Sequence, residues 1–269
     1  MTHMIYVVPS LKAKEKLQSE GKAWAESQGF TYVLRHQRTI QDLMDEYGED
    51  FLVYSSRGPQ IDRPEGSHFF SLNMAELRIQ NLRKGQRDHL LEALMGRGSS
   101  KLPITVLDCT CGFGADAAVA SFGLPAGSRV DALEVSPLLE AVTSWGFSHF
   151  VHKKDDVTAA LRRISLSRGD YRDSLLSDEG PVYDVLYFDP MFQRPVEASC
   201  QFQPVRAIME HGGLTRDLIE RALQKARRRV VIKERDFRQL CRDFPEVTLY
   251  GGKYSRIGYA VLECDSWKK

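Results

Sequence analysis

The stretch VLDCTCGFGADAA, residues 106–118, limits what this chain can fold into more than any other. An apolar run ends at Asp108, Gly112 and Gly114 follow, and an alanine-rich helical run begins near Ala115. That is a strand, a tight turn and a helix, the opening of a parallel β–α unit. Glycine in such a turn lets backbone approach a ligand closely, and the helix N-terminus beyond it offers unpaired N–H groups. A second strand pattern over 129–133 ends at Glu134, twenty residues after Gly114. An acid at that distance is placed to take both ribose hydroxyls of an adenosine. The alternation continues downstream. Helical patterns cover 137–144 and 157–164, and a short strand over 163–166 leads to Asp170. A strand at 184–188, a helix at 214–226, a strand at 229–233 and a short helix at 237–244 follow. Two strand patterns, 247–250 and 259–263, close the chain around a GGKYSRIG turn. This predicts an α/β fold with a mainly parallel sheet and helices on both faces. The terminal hairpin adds an antiparallel strand.

Upstream the chain reads as a small α/β unit over 1–70, followed by the main domain over 71–269. Strand patterns at 4–8, 32–34 and 51–54 alternate with helical ones at 11–28 and 40–47. RGPQIDRPEGSH (57–68) carries two prolines and two glycines in twelve residues and reads as a loop. Residues 71–95 have helical spacing, broken near Gly85.

The 269 residues are 42% hydrophobic and 27% charged, which suits a globular protein with a sizeable core. No apolar run reaches the ~20 residues of a membrane span. The N-terminal residues enter a strand pattern at once and lack the form of a signal peptide. Five cysteines without framework spacing point to a reducing compartment, so a cytoplasmic protein is expected. The net charge of +1 neither suggests nor excludes nucleic acid, but residues 221–238 hold eight basic side chains against two acidic ones. The Arg227–Arg229 part of that run also suits a helix C-terminus, where cations are favoured.

Gly112 and Gly114 with Ala117 also match a dinucleotide fingerprint, so the glycine loop alone leaves the ligand open. Asp108 narrows it. An acid ending the first strand accepts hydrogen bonds from an ammonium, as on the methionine part of S-adenosylmethionine (SAM). It would repel the pyrophosphate of NAD. Asp170 lies where a third strand ends, either to accept from an adenine amino group or to cap a helix.

The stretch VYDVLYFDPMFQRP (182–195) ends a buried strand in Asp189-Pro190-Met191-Phe192. The ligand edge of a parallel sheet lies at such strand ends. Proline removes a donor, leaving a turn rich in acceptors, namely the Asp189 carboxylate and the carbonyls of Pro190 or Met191. Phe192 adds an aromatic face for stacking. These features suit a planar base bearing an exocyclic amine. Its lone pair is delocalised into the ring, and two acceptors holding its hydrogens favour rehybridisation towards an incoming methyl group. The rate would come from positioning and electrostatics, with no strong base. A plain buried strand ending in an Asp-Pro turn is the structural alternative.

Taken together, DCTCGFGAD, the Leu-Glu at the second strand end, YFDPMF, the VVIK strand and the late KYSRIGY resemble the class I SAM-dependent methyltransferases. More narrowly they resemble the RsmJ family, which methylates the exocyclic amine of a guanine in small-subunit ribosomal RNA. The resemblance spans residues 70–264, with Cys109 and Cys111 standing where small residues are expected. It implies a Rossmann-like seven-stranded sheet, SAM as cofactor and RNA, the small ribosomal subunit or its rRNA, as partner. The candidate cofactor residues are Asp108, Cys109, Thr110, Gly112, Gly114, Asp116, Glu134, Val135, Asp170 and Asp189. The candidate catalytic residues are Asp189, Pro190, Met191 and Phe192. Lys233, Arg235, Tyr254 and Arg256 are candidate RNA contacts, and Asn73, Arg78 and residues 83–88 are candidates to cover the cofactor. No metal site is expected, since Cys109 and Cys111 lack partners at ligand spacing, as do His149 and His152. Methylation of adenine or DNA, a non-catalytic SAM or RNA binder, and an NAD-dependent oxidoreductase are the competing readings.

Overall fold

The structure, a computed structural model, describes residues 4–96, 102–177, 183–190, 213–251 and 257–264. In chain order the elements begin with β1 (Tyr6–Pro9), α1 (Glu15–Ser27), β2 (Thr31–Tyr32), α2 (Ile40–Tyr47), β3 (Phe51–Ser55), β4 (Gly58–Arg63) and β5 (Gly66–Phe69). Next come α3 (Asn73–Arg83), α4 (His89–Met95), β6 (Thr105–Asp108), α5 (Ala115–Gly123), β7 (Arg129–Glu134) and α6 (Pro137–His149). The chain continues through α7 (Asp155–Leu161), β8 (Ile164–Arg168), α8 (Tyr171–Leu176) and β9 (Val185–Phe188). It closes with α9 (Arg216–Lys225), β10 (Arg229–Glu234), α10 (Arg238–Asp243), β11 (Thr248–Gly251) and β12 (Gly258–Glu263). No described helix is long and apolar enough to cross a membrane.

These elements form two compact units. One holds the chain up to Ser71 and takes in Ser136–Phe150, a segment that the sequence pattern assigns to the main domain. The other holds Leu72–Val135 and the described residues from Val151 onward. In the first unit the sheet order is β2-β1-β3-β4-β5, with β1 parallel to β2 and β3 and the rest antiparallel. Val8, Leu43, Phe51 and Val53 form its apolar centre. The stretch expected to be a loop, 57–68, is instead the meander β4–β5. Its glycines sit at the hairpin turns, Gly58 with φ +87° and Gly66 with φ +148°, while residues 58–63 are all buried. A Cβ at Gly58 would lie 2.5 Å from the indole of Trp145, so close packing demands glycine there as well as the turn.

The second unit is built on a seven-stranded sheet in the order β11-β12-β10-β9-β6-β7-β8. Neighbours from β10 to β8 run parallel, and β12 runs antiparallel to both β10 and β11. This is the mainly parallel sheet with one reversed terminal strand that the sequence predicts. Val185–Phe188 and Val230–Ile232 are buried throughout, as strands covered on both faces must be. The helical pattern over 157–164 runs three residues too far, because Ile164 pairs with Val130 as the first residue of β8. The strand order reverses at β6, which has β7 on one side and β9 on the other. Ligands of open α/β sheets bind at such a reversal, beyond the carboxyl ends of the strands. Asp108 pairs in register with Tyr187, so the end of β6 and the Asp189 turn share that edge.

Candidate active site

The loop between β6 and α5 is tied to both neighbouring strands. The Cys109 amide donates to the Tyr187 carbonyl of β9 at 2.9 Å, and the Cys111 amide to the Leu133 carbonyl of β7 at 2.9 Å. Gly112 (φ +54°) and Gly114 (φ +74°) take the left-handed conformation that side chains disfavour, and Gly114 caps α5. The Gly112 amide donates to Glu134 Oε2 at 2.8 Å, so the expected ribose acid and the glycine loop are joined directly. Asp108, 2% exposed, accepts from the Thr110 amide at 3.1 Å through Oδ1. Its Oδ2 is buried with no hydrogen-bond partner among the described residues. Burial pushes this carboxyl well above its usual range. A buried orphan acceptor is costly, and a donor from a bound ligand would satisfy it. An ammonium such as that of SAM fits the need.

Thr110 reaches across to the Asp-Pro turn. Its Oγ1 accepts from the Asp189 amide at 2.7 Å, fixing the turn against the end of β6. The Asp189 carboxylate is held in turn by Lys233, on β10, whose Nζ lies 2.7 Å from Asp189 Oδ2 and 2.8 Å from Asp116 Oδ2. Asp116, in the first turn of α5, also accepts from the Tyr187 hydroxyl at 2.7 Å and from Arg78. Arg78, on α3, makes two further bonds of 2.8 Å to Asp88, the residue that caps α4. Burial would raise the Asp116 carboxyl, but Lys233 and Arg78 overcome it and hold the group below the carboxylate range. Burial likewise disfavours the Lys233 ammonium, and Asp116 with Asp189 outweighs it, raising the group above the lysine range. For Asp189 burial wins. Its carboxyl is pushed up to about 6 against the pull of Lys233, with Asp116 adding to the rise.

A family model described as "Putative SAM-dependent methyltransferase" matches residues 66–257. The chain belongs to the SAM-dependent methyltransferases. Its cofactor is therefore SAM, and the protein is an enzyme. A Bacillus subtilis protein, YpiP, is 28% identical over 230 residues, covering 85% of this chain and 88% of that one. The ribosomal RNA small subunit methyltransferase J of Marinobacter nauticus is 28% identical over 194 residues, covering 71% of this methyltransferase and 66% of that one. The same-named protein of Aeromonas salmonicida is 29% identical over 184 residues, covering 66% and 71%. Among solved structures, a SAM-dependent methyltransferase of Neisseria gonorrhoeae superposes with a TM-score of 0.61 at 17% identity, covering 97% of this chain and 96% of that one, so the two share a fold.

The remaining candidate positions of the methyltransferase fall as follows. Asp170 follows β8 and caps α8, its Oδ1 accepting from the Arg172 amide at 2.8 Å, and it also pairs with the Arg172 guanidinium. The geometry thus shows the cap, one of the two roles expected for it. Val135 is half-buried just beyond β7. Lys233 lies within β10 with a side chain only 15% exposed. Its ammonium is bonded to Asp116 and Asp189, beside the turn where it is expected to meet RNA phosphate or the base. Arg78 is likewise tied into the same network. Arg235 is exposed beside Pro190. Met191, Phe192, Tyr254 and Arg256 lie outside the described residues. Sequence reasoning missed Tyr187, and it named Asp88 only within the 83–88 stretch expected to cover the cofactor. A capping signal marks Asp88 before HLLEALM, but nothing in the sequence pairs it with Arg78 across the break between two helices.

Proposed function

We propose that this methyltransferase transfers the SAM methyl group to an exocyclic base amine of RNA, guanine N2 of small-subunit ribosomal RNA. The observation that carries the reading is the Asp189 turn. Its amide is held by Thr110 and its carboxylate by Lys233, one strand away from the Asp108 oxygen that lacks a partner among the described residues. Asp108, the Gly112–Gly114 loop and Glu134 would hold the cofactor, with Asp108 Oδ2 accepting from its ammonium. SAM supplies a methyl group activated on a sulfonium. Asp189 Oδ1, which takes no hydrogen bond from the described residues, would accept from the substrate amine. With the Pro190 carbonyl it would orient the nitrogen lone pair towards the methyl carbon. Asp189 would hold that nitrogen as the methyl group is transferred to it from the sulfonium and would take up the proton that the nitrogen loses.

A cleft of about 800 Å³ beside Pro190 supports a base-sized substrate. Ile219, Ile232 and Leu240 give it apolar lining suited to a planar base, and its rim mixes Arg216, Arg235 and Arg242 with Glu234, Asp236 and Asp243. The relatives named ribosomal RNA small subunit methyltransferase J support the choice of RNA. The test uses methyl-labelled SAM with small ribosomal subunits, deproteinised rRNA and DNA from cells lacking the protein, followed by digestion to nucleosides. Label in N2-methylguanosine from ribosomal material is expected. Label only in adenine or in DNA would overturn the substrate.

A further inference from the structure

We infer that Lys233 is a positioning residue for methyl transfer: by bridging Asp116 and one oxygen of Asp189, it fixes the Asp189 carboxylate as an acceptor and reserves the other oxygen for the reacting group. This rests on the reading of Asp189 as the acceptor for a substrate amine.

Three observations carry it. First, Asp116 does not need Lys233 for its own satisfaction, since Arg78 and Tyr187 already donate to it. The second bond of the Lys233 ammonium, 2.7 Å long, goes to the Asp-Pro turn. Second, Asp189 is held at two independent points, its amide by Thr110 and its carboxylate by Lys233. A group fixed at both ends reorganises little when charge develops on its ligand. Third, Asp189 is surrounded by groups that oppose its ionisation. Asp116 on α5, Glu234 on β10 and Asp108 at the end of β6 are acidic, and Tyr187 on β9 adds no cation. Lys233 is the one cation in direct contact with Asp189 among the described residues. Without it the balance at Asp189 shifts towards the protonated form, and a neutral carboxyl presents its O–H as a donor where the amine needs an acceptor.

The experiment compares full-length wild type, Lys233→Met, Lys233→Arg and the double variant Lys233→Met/Asp116→Asn, using the acceptor that the wild type labels. The double variant removes Lys233 together with the acid it bridges, a second background in which the clamp on Asp189 is absent. Loss of the clamp should lower kcat by about 100-fold. KM for the acceptor and Kd for SAM should stay near wild type. The acid limb of the kcat profile should move up by about one pH unit or more in Lys233→Met, and less in the double variant, which also loses the Asp116 charge that raises Asp189. Lys233→Arg, which keeps the charge but moves it, should fall between. Wild-type kcat and an unmoved acid limb in the neutral variants would overturn the inference, as would a loss residing wholly in SAM affinity. If neither neutral variant folds, an unchanged kcat in Lys233→Arg overturns it and a reduced kcat at unchanged SAM affinity supports it. The atom carrying the label in the wild-type product tests the acceptor reading separately, so its failure is distinguishable from failure of the positioning role.

Discussion

Asp108 shows how far one residue constrains the chemistry. Burial favours its neutral form, and a cationic cofactor favours its ionised form. SAM binding should therefore expel a proton from Asp108, and affinity should rise with pH until the free carboxyl is ionised. Calorimetry at neutral pH in two buffers of different ionisation enthalpy reads this directly, and identical heats in both would contradict it. Asp108→Asn keeps the shape but removes the charge, and should weaken SAM binding by roughly 10- to 100-fold. Asp189 should behave differently. Asp189→Ala should cost kcat roughly 100-fold or more with SAM affinity retained. In the wild type, kcat should fall as pH drops through about 6, because there Asp189 takes up its proton and ceases to accept. Full activity of Asp189→Ala would remove it from the mechanism.

Whole elements are fixed by a few local commitments. The turn into α5 works because Gly114 takes φ +74° at the cap, and Gly114→Ala should cost about 1–2 kcal/mol in urea unfolding. Asp88 serves two elements at once, capping α4 and receiving both arms of Arg78 from α3. Asp88→Ala should thus cost more than the ~1 kcal/mol of a simple cap. It should also lower kcat, since Arg78 braces Asp116, which holds Lys233. A loss of stability with kcat intact would break that chain at Arg78. The same scale explains the one large misreading of the sequence. Glycine and proline at 57–68 signal turns, and the turns exist, but β4 fits between them and β5 starts at the second.

At the scale of the molecule, the sheet order brings the ends of β6, β7, β9 and β10 to one edge, and the candidate site is made of those ends. SAM at a hundred times its Kd should stabilise the protein by about 2.7 kcal/mol, a rise in melting temperature of roughly 5–10 °C, while NAD should leave it unchanged. A shift with NAD instead would overturn the reading of Asp108. The sequence by itself determined the β–α alternation, the glycine turn, the acids Asp108, Glu134 and Asp189 at strand ends, and the reversed strand at the C-terminus. Each is written in local periodicity or in a residue whose neighbours along the chain explain it. Tertiary structure alone decided that Lys233 spends its charge on Asp116 and Asp189, that Arg78 joins them at Asp116 while also binding Asp88, and that Thr110 holds the Asp189 amide. Those partners lie up to 117 residues apart. Local pattern gives a charged residue the same appearance whether it meets water or an ion buried beside it, and only the packing of strands and helices distinguishes the two.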